Sequence, residues 1–225
     1  MRETVHTDGA GLLPEMARVR AAFPILQAAV YLNTGTYGPM PEPALQTFLR
    51  VMTDMERGGV AAGPELGERV MQTRQNLARL LGAEPEEIAF TRNATDGINL
   101  VLGGLEWHEG DEILTSDEEH EALLHPLLYL QKRKGIQVRR VGIATDPAGM
   151  TARLEEHLTP RTRLVALSHV SCESGARLPA AAICRWAASR RLRTLLDGAH
   201  VAGALPLDLP QIGCDFYAGN GHKWL

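Results

Sequence analysis

Leu164-Val165-Ala166-Leu167, followed at once by Ser168-His169-Val170-Ser171-Cys172-Glu173-Ser174-Gly175, reads as a strand that empties into a polar loop. Downstream, Pro179 to Arg191 reads as a helix, opened by a proline that has no N–H to lose and closed by Arg190-Arg191 at the negative end of the helix dipole. Arg193 to Leu196 is then a second strand, and it delivers Asp197. Upstream, Pro160-Arg161-Thr162 turns the chain into the first strand after a helix over Ala152 to Leu158, for which Thr151 is the expected cap. Before that come a turn at Asp146-Pro147-Ala148-Gly149 and a strand over Gln137 to Gly142. Strand, helix and strand repeat, which predicts an α/β fold: a mostly parallel sheet with helices on both faces, α/β/α in three layers.

Further out the alternation continues. Ala122 to Lys134 reads as a helix, and Ile113-Leu114-Thr115 as a strand with Ser116-Asp117-Glu118-Glu119-His120-Glu121 at its exit. Ile88 to Thr91 is expected as a short strand ahead of Asn93-Ala94-Thr95-Asp96-Gly97, where Ile98 to Leu102 begins a helix. A helix N-terminus with a Thr95 hydroxyl beside it suits a phosphate group, and it is equally the ordinary way to cap a helix. Helices are also expected over Pro41 to Met55, with Leu45, Phe48, Leu49 and Met52 at helical spacing, and over Pro64 to Leu81. Residues 1–29 read as a polar tail with a short helix near Leu13 to Arg20, and 30–225 as the main domain. Between them and the helices, Thr34-Gly35-Thr36-Tyr37-Gly38-Pro39 reads as an ordered loop, either a functional one or a plain turn.

The chemistry concentrates at the other end. Cys214-Asp215-Phe216-Tyr217-Ala218 reads as a buried strand, and Gly219-Asn220-Gly221-His222-Lys223-Trp224-Leu225 follows it with glycines that let backbone pass close to a bound group. Sequential parallel strands would bring Asp197 and Lys223 into one crevice. A nucleophilic amine beside a buried acid suits carbonyl or pyridoxal chemistry.

Composition bounds the alternatives. The 225 residues are 44% hydrophobic and 22% charged, within the globular norm, and a net charge of −4 without a basic cluster gives no case for nucleic acid. Cys172, Cys184 and Cys214 match neither a disulfide framework nor a zinc pattern, which favours a reducing cytoplasm. Cys172 is expected as a small buried residue rather than a nucleophile. No apolar run suggests a signal peptide or a membrane span. No metal site is expected: His120 and His125 are five apart, off a shared helix face, and no His-Glu-x-x-His occurs.

Asp197 with His222-Lys223, preceded in order by Asn93-Ala94-Thr95, Glu119-His120 and Ser168-His169-Val170-Ser171, resembles the class V aminotransferase family of pyridoxal-phosphate enzymes. The match runs from about Tyr31 to Leu225. The resemblance implies the fold type I large domain, pyridoxal 5'-phosphate as cofactor, an amino acid as substrate, and a homodimer. It implies that Lys223 holds the cofactor as an imine and moves protons at the substrate's Cα, that Asp197 faces the pyridine nitrogen, and that His120 stacks on the ring. It further implies that Asn93, Ala94, Thr95, Asn220 and His222 meet the phosphate and that His200 meets the phenolic oxygen, where desulfurases have a glutamine. Gly219 to Leu225 and the Tyr31-Leu32-Asn33-Thr34-Gly35 loop resemble the isopenicillin-N-epimerase-like branch more than the cysteine desulfurases, which carry asparagine at the position of Cys172.

Family members continue past the lysine into a smaller C-terminal domain that is expected to be absent from these 225 residues. Two readings follow: part of an enzyme acting on an amino acid as an epimerase, C–S lyase or aminotransferase, or a truncated, inactive pyridoxal-phosphate binder or partner subunit.

Overall fold

A computed structural model of the chain describes residues 14–225; the tail expected ahead of Pro14 lies outside the described residues. The chain divides into two compact units, one up to Val70 and one from Met71 onward.

The first unit is helical. Helices α1 (Pro14–Ala21) and α2 (Ile25–Ala28) precede α3 (Glu42–Gly58), which a short 3₁₀ turn joins to the start of α4 (Gly63–Leu81). The expected stripe is present on α3, yet the helix buries none of its side chains, and Phe48, Leu49, Met52 and Met55 stay exposed. The loop before α3 is ordered by its own groups: Tyr31 Oη donates to the Tyr37 carbonyl at 2.7 Å, and Thr36 Oγ1 to Asn33 Oδ1 at 2.8 Å.

The second unit holds the sheet. After α5 (Ala94–Gly104) come β1 (Glu112–Ser116), α6 (Glu121–Lys134), β2 (Gln137–Val141), α7 (Pro147–Glu156), β3 (Thr162–Ser168), α8 (Ala180–Ser189), β4 (Arg193–Asp197), α9 (Leu209–Ile212), β5 (Phe216–Ala218) and α10 (Gly221–Trp224). All five strands are parallel, in the order β2-β1-β3-β4-β5. Because side chains alternate along a strand, each strand feeds two cores. Leu114, Val165, Leu167 and Leu196 pack with Met150 and Leu154 of α7 and Ile183 and Ala187 of α8. Ile113, Leu164, Ala166 and Leu195 pack with Ile98 and Leu102 of α5 and Leu123 and Leu127 of α6. This is the expected three-layer α/β/α domain.

Two local readings are corrected. Ile88 to Thr91 forms no strand: the Ile88 N–H bonds the Pro85 carbonyl and the Ile88 carbonyl accepts from Arg74, so its backbone groups are spent on a turn and a helix side chain. Asp146, not Thr151, caps α7, because its carboxylate accepts the Gly149 N–H at 2.7 Å with Pro147 set at the first turn. The connection from Leu205 to Gly213 contains α9, capped by Asp208 accepting the Gln211 N–H at 3.0 Å.

Removing methylenes from the sheet core should cost far more than removing an exposed ring. Ile113→Ala, at a fully buried position, is expected to destabilise by about 2–5 kcal/mol, and Phe48→Ala, half exposed on α3, by no more than about 0.5 kcal/mol. Urea unfolding of the two variants checks the contrast.

Candidate active site

Parallel strands all leave at one edge, and in this sheet the order reverses between β1 and β3, the place where ligands sit in open α/β sheets. The residues ending β3, β4 and β5 lie level there: Ser168 pairs with Asp197, and Asp197 with Ala218.

Asp197 is 5% exposed. Its Oδ1 accepts the Ala199 N–H at 2.9 Å. Among the described residues nothing donates to the second oxygen, yet no fully buried side-chain oxygen is left without a partner, so that oxygen faces open space in the crevice. Burial pushes the acid's pKa up, while the Ala199 N–H and the charges of His120, Lys223 and His200 oppose the rise. The charges of His120, Lys223 and His200 thus lie near enough to Asp197 to act on it.

Lys223 stands on the short α10 turn. Its Nζ lies 3.5 Å from His200 Nε2. Partial burial lowers its pKa, the carboxylate of Asp197 and the Cys172 sulfur working against this. His200 is likewise held down, first by burial and then by Lys223. Two bases in contact cannot both hold their protons cheaply, and of the pair it is the imidazole of His200 that gives up its proton to Lys223. The turn approaches because Gly203 has φ +89° and no Cβ; one built there would strike the Trp224 carbonyl.

At the start of α5, Asn93 caps the helix by accepting the Asp96 N–H at 2.9 Å. Asn220, 8% exposed, spans from the other end of the chain to accept the Ala94 N–H at 2.7 Å. With the amide oxygen turned to that N–H, the Asn220 NH₂ is left over, and among the described residues neither it nor the Thr95 N–H and hydroxyl has a partner. Unspent donors at a helix N-terminus suit an anion. His222 is exposed and makes no hydrogen bond among the described residues.

His120 caps α6, its Nδ1 accepting the Ala122 N–H at 3.0 Å. It shares with Thr95 a groove of about 480 Å³ between α5 and α6 that Asn99, His125 and Tyr129 also line and that Asp197 and Lys223 do not. Cys172 is exposed rather than buried, because it sits at the tip of the turn after β3; even so burial and the neighbouring Glu173 raise its pKa, so it gains no thiolate character.

Several residues behind the site carried no sequence signal of their role. Glu119, part of the Glu119-His120 step that carries the resemblance but given no role there, is buried between Ser116 and Ser168 and accepts from both. His169 is 2% exposed, with Tyr217 Oη 3.0 Å from its Nδ1 in an edge-on ring pair. Burial pushes the Tyr217 pKa up, so the phenol keeps its proton within the pair. The Tyr217 ring fills the space where a Cβ of residue 198 would be, which requires Gly198. Serines at the ends of β1 and β3, Ser116 and Ser168, and Gly198 after Asp197 are the trace this arrangement leaves in the sequence.

The Aminotransferase class-V family model matches residues 41–225. Isopenicillin N epimerase of Streptomyces clavuligerus is 40% identical over 205 residues, covering 87% of this chain and 50% of the relative. A cysteine desulfurase of Klebsiella pneumoniae is 33% identical, covering 92% of this chain and 54% of its own length. The chain thus spans about half the length of these curated relatives. Among solved structures, a lysine-to-alanine mutant of C-DES with glycine covalently linked to the PLP cofactor superposes with a TM-score of 0.85 at 36% identity, covering 91% of this chain and 56% of that one. The cystine C–S lyase C-DES with its product cysteine persulfide gives 0.83, at 36% identity and covering 90% and 55% of the two chains.

Burial first, and the charge of Arg177 second, lower the His169 pKa from 6.5 to about 4. Between those values the unfolded chain binds a proton that the folded chain refuses, so stability is full above pH 6.5 and falls as the pH drops toward 4. His169→Gln, which keeps an acceptor for Tyr217, is expected to flatten that decline in urea midpoints; equal slopes in the two proteins would refute it.

Proposed function

The chain belongs to the class V aminotransferase family, and on that premise we propose that it is the cofactor-binding part, over residues 30–225, of a pyridoxal-phosphate enzyme acting at the Cα of an amino acid. The observation that carries the reading is the buried Asp197 with one oxygen held by Ala199 and the other open beside an amine of lowered pKa.

The residues fit the group. A buried carboxylate with no cationic hydrogen-bond partner suits a protonated pyridine nitrogen, which would offset its desolvation. Lys223 Nζ would hold the cofactor covalently, and Asp197 would keep the pyridine nitrogen protonated. His120 would stack on the ring, and His200 would donate to the phenolic oxygen. The Thr95 N–H and hydroxyl, the Asn220 NH₂ and His222 would take the phosphate, on a turn set by Asn93 and Ala94. When bound, pyridoxal phosphate supplies an electron sink for negative charge at the substrate's Cα. Lys223, once released, would take or return the Cα proton with His200 at 3.5 Å to share it.

The relatives' printed activities support epimerase-like or C–S lyase and desulfurase-like chemistry, and transamination uses the same Cα proton transfer. The exposed Phe48, Leu49, Met52 and Met55 of α3 support a homodimer. Three free cysteines support the cytoplasm, and no helix among the described residues is long and apolar enough to cross a membrane.

Incubation with pyridoxal phosphate, borohydride reduction and peptide mass mapping test the reading. The reduced cofactor is expected on Lys223 and is expected to be lost in Lys223→Ala; labelling spread over other lysines, or equal in the variant, would sink it. Sedimentation at micromolar concentration should give a dimer mass, and a monomer would remove that part of the proposal.

A further inference from the structure

We propose that Glu119 is a positioning residue whose carboxylate ties the exit of β1 to the exit of β3 and so fixes His120 relative to Asp197. Its bearing on a bound ring rests on the function proposed above.

Both ends of the tie are on strand termini. Glu119 Oε1 accepts from Ser116 Oγ at 2.6 Å and from the Ser116 N–H at 3.3 Å, and Ser116 is the last residue of β1. Oε2 accepts from Ser168 Oγ at 2.6 Å and from the Ser168 N–H at 2.9 Å, and Ser168 is the last residue of β3. The tie therefore crosses the point where the strand order reverses. Each end leads directly to a site residue. His120 follows Glu119 in the chain and caps α6, while Ser168 is the register partner of Asp197. A shift of the carboxylate would move one by a peptide bond and the other by strand pairing.

The preceding residue repeats the device one step outward. Glu118 Oε2 accepts from Ser171 Oγ at 2.6 Å and Ser174 Oγ at 2.5 Å, which holds the turn carrying Cys172. Two adjacent acids on one exit thus fasten the strand end and the loop of the other.

Filling a gap in the core would not require this group. Burying a carboxylate is costly, and burial does raise the Glu119 pKa, with all four donors opposing it. An apolar side chain would fill the same volume without that cost but would exert no directional hold on Ser116 and Ser168. An amide, whichever way it is flipped, would turn an NH₂ toward the N–H of one of the two serines, donor against donor.

The test is hydrogen exchange read by NMR in the full chain, without cofactor. The Ala122 amide reports on His120 and the Ala199 amide on Asp197, through the bonds that hold them; Leu154 in α7 serves as reference. Glu119→Gln is expected to speed exchange at Ala122 and Ala199 at least about tenfold, the loss of order 1.4 kcal/mol in each local bond, with Leu154 unchanged. Wild-type rates at both, or equal acceleration at all three as in global destabilisation, would overturn the proposal. Should Glu119→Gln fail to fold, Ser168→Ala leaves the carboxylate with its Ser116 donors and is expected to accelerate Ala199 more than Ala122; unchanged rates there would overturn it as well. Borohydride labelling of Lys223 in the wild type reports separately: no label combined with selective acceleration would remove the cofactor reading and leave the positioning role in place.

Discussion

The parallel register is the constraint on which everything else in this chain depends. In an antiparallel sheet, Asp197 and the residues after β5 would leave at opposite edges; here Ser168, Asp197 and Ala218 are level, so the loops that follow are forced into one crevice. The apolar runs that make the strands are thus what assembles a site from positions more than a hundred residues apart. Asn220 bonding the Ala94 N–H is the clearest result, since the bond joins the beginning of α5 to the last turn of the chain.

Level strand ends also create an electrostatic problem. Two carboxylates, Asp197 and Glu119, are buried at the same edge, and neither forms an ion pair with lysine or arginine among the described residues. Glu119 solves it locally, with four donors from two serines. Asp197 solves half of it, with the single Ala199 N–H and the more distant charges of His120, Lys223 and His200. The difference sorts the two acids into a fastener and a group still open to a partner, although their burial is alike.

The fold was legible because it rests on long apolar runs with helices between them, a signal that survives errors of one or two residues at each boundary. The reading failed where side chains compete for backbone groups: Arg74 takes the Ile88 carbonyl from an expected strand, and Asp146 outcompetes Thr151 for a helix cap. Of the candidate site, Asp197 and Lys223 were expected in one crevice from sequential strands, and His120 and His200 only from the family resemblance; in the structure the charges of His120, Lys223 and His200 act on Asp197. What supports them was not expected. Glu119 belongs to the step that carries the resemblance but has no role there, and Gly198 looks like any turn glycine, until Ser168 and the Tyr217 ring are seen beside them. Such roles depend on a second residue that lies far away in sequence, so no local pattern announces them.

Half-used polar groups are the feature that distinguishes the candidate site from the rest of this edge. The Asn220 oxygen is committed and its NH₂ is not; one oxygen of Asp197 is committed and the other is not; the Asn93 cap spends one N–H of α5 and leaves that of Thr95. Glu119 and Glu118 close their bonds with serines, whereas these free groups face the open side of the edge, where water can serve them until a ligand replaces it. The committed half of each residue fixes its direction, and the free half is then aimed without further ordering when a ligand arrives. Donors at the α5 end and an open acid at the β4 end ask for an anion at one place and a protonated nitrogen at the other. A single ligand carrying both groups would satisfy the two ends at once, and under the proposed function the amine of Lys223 would hold it.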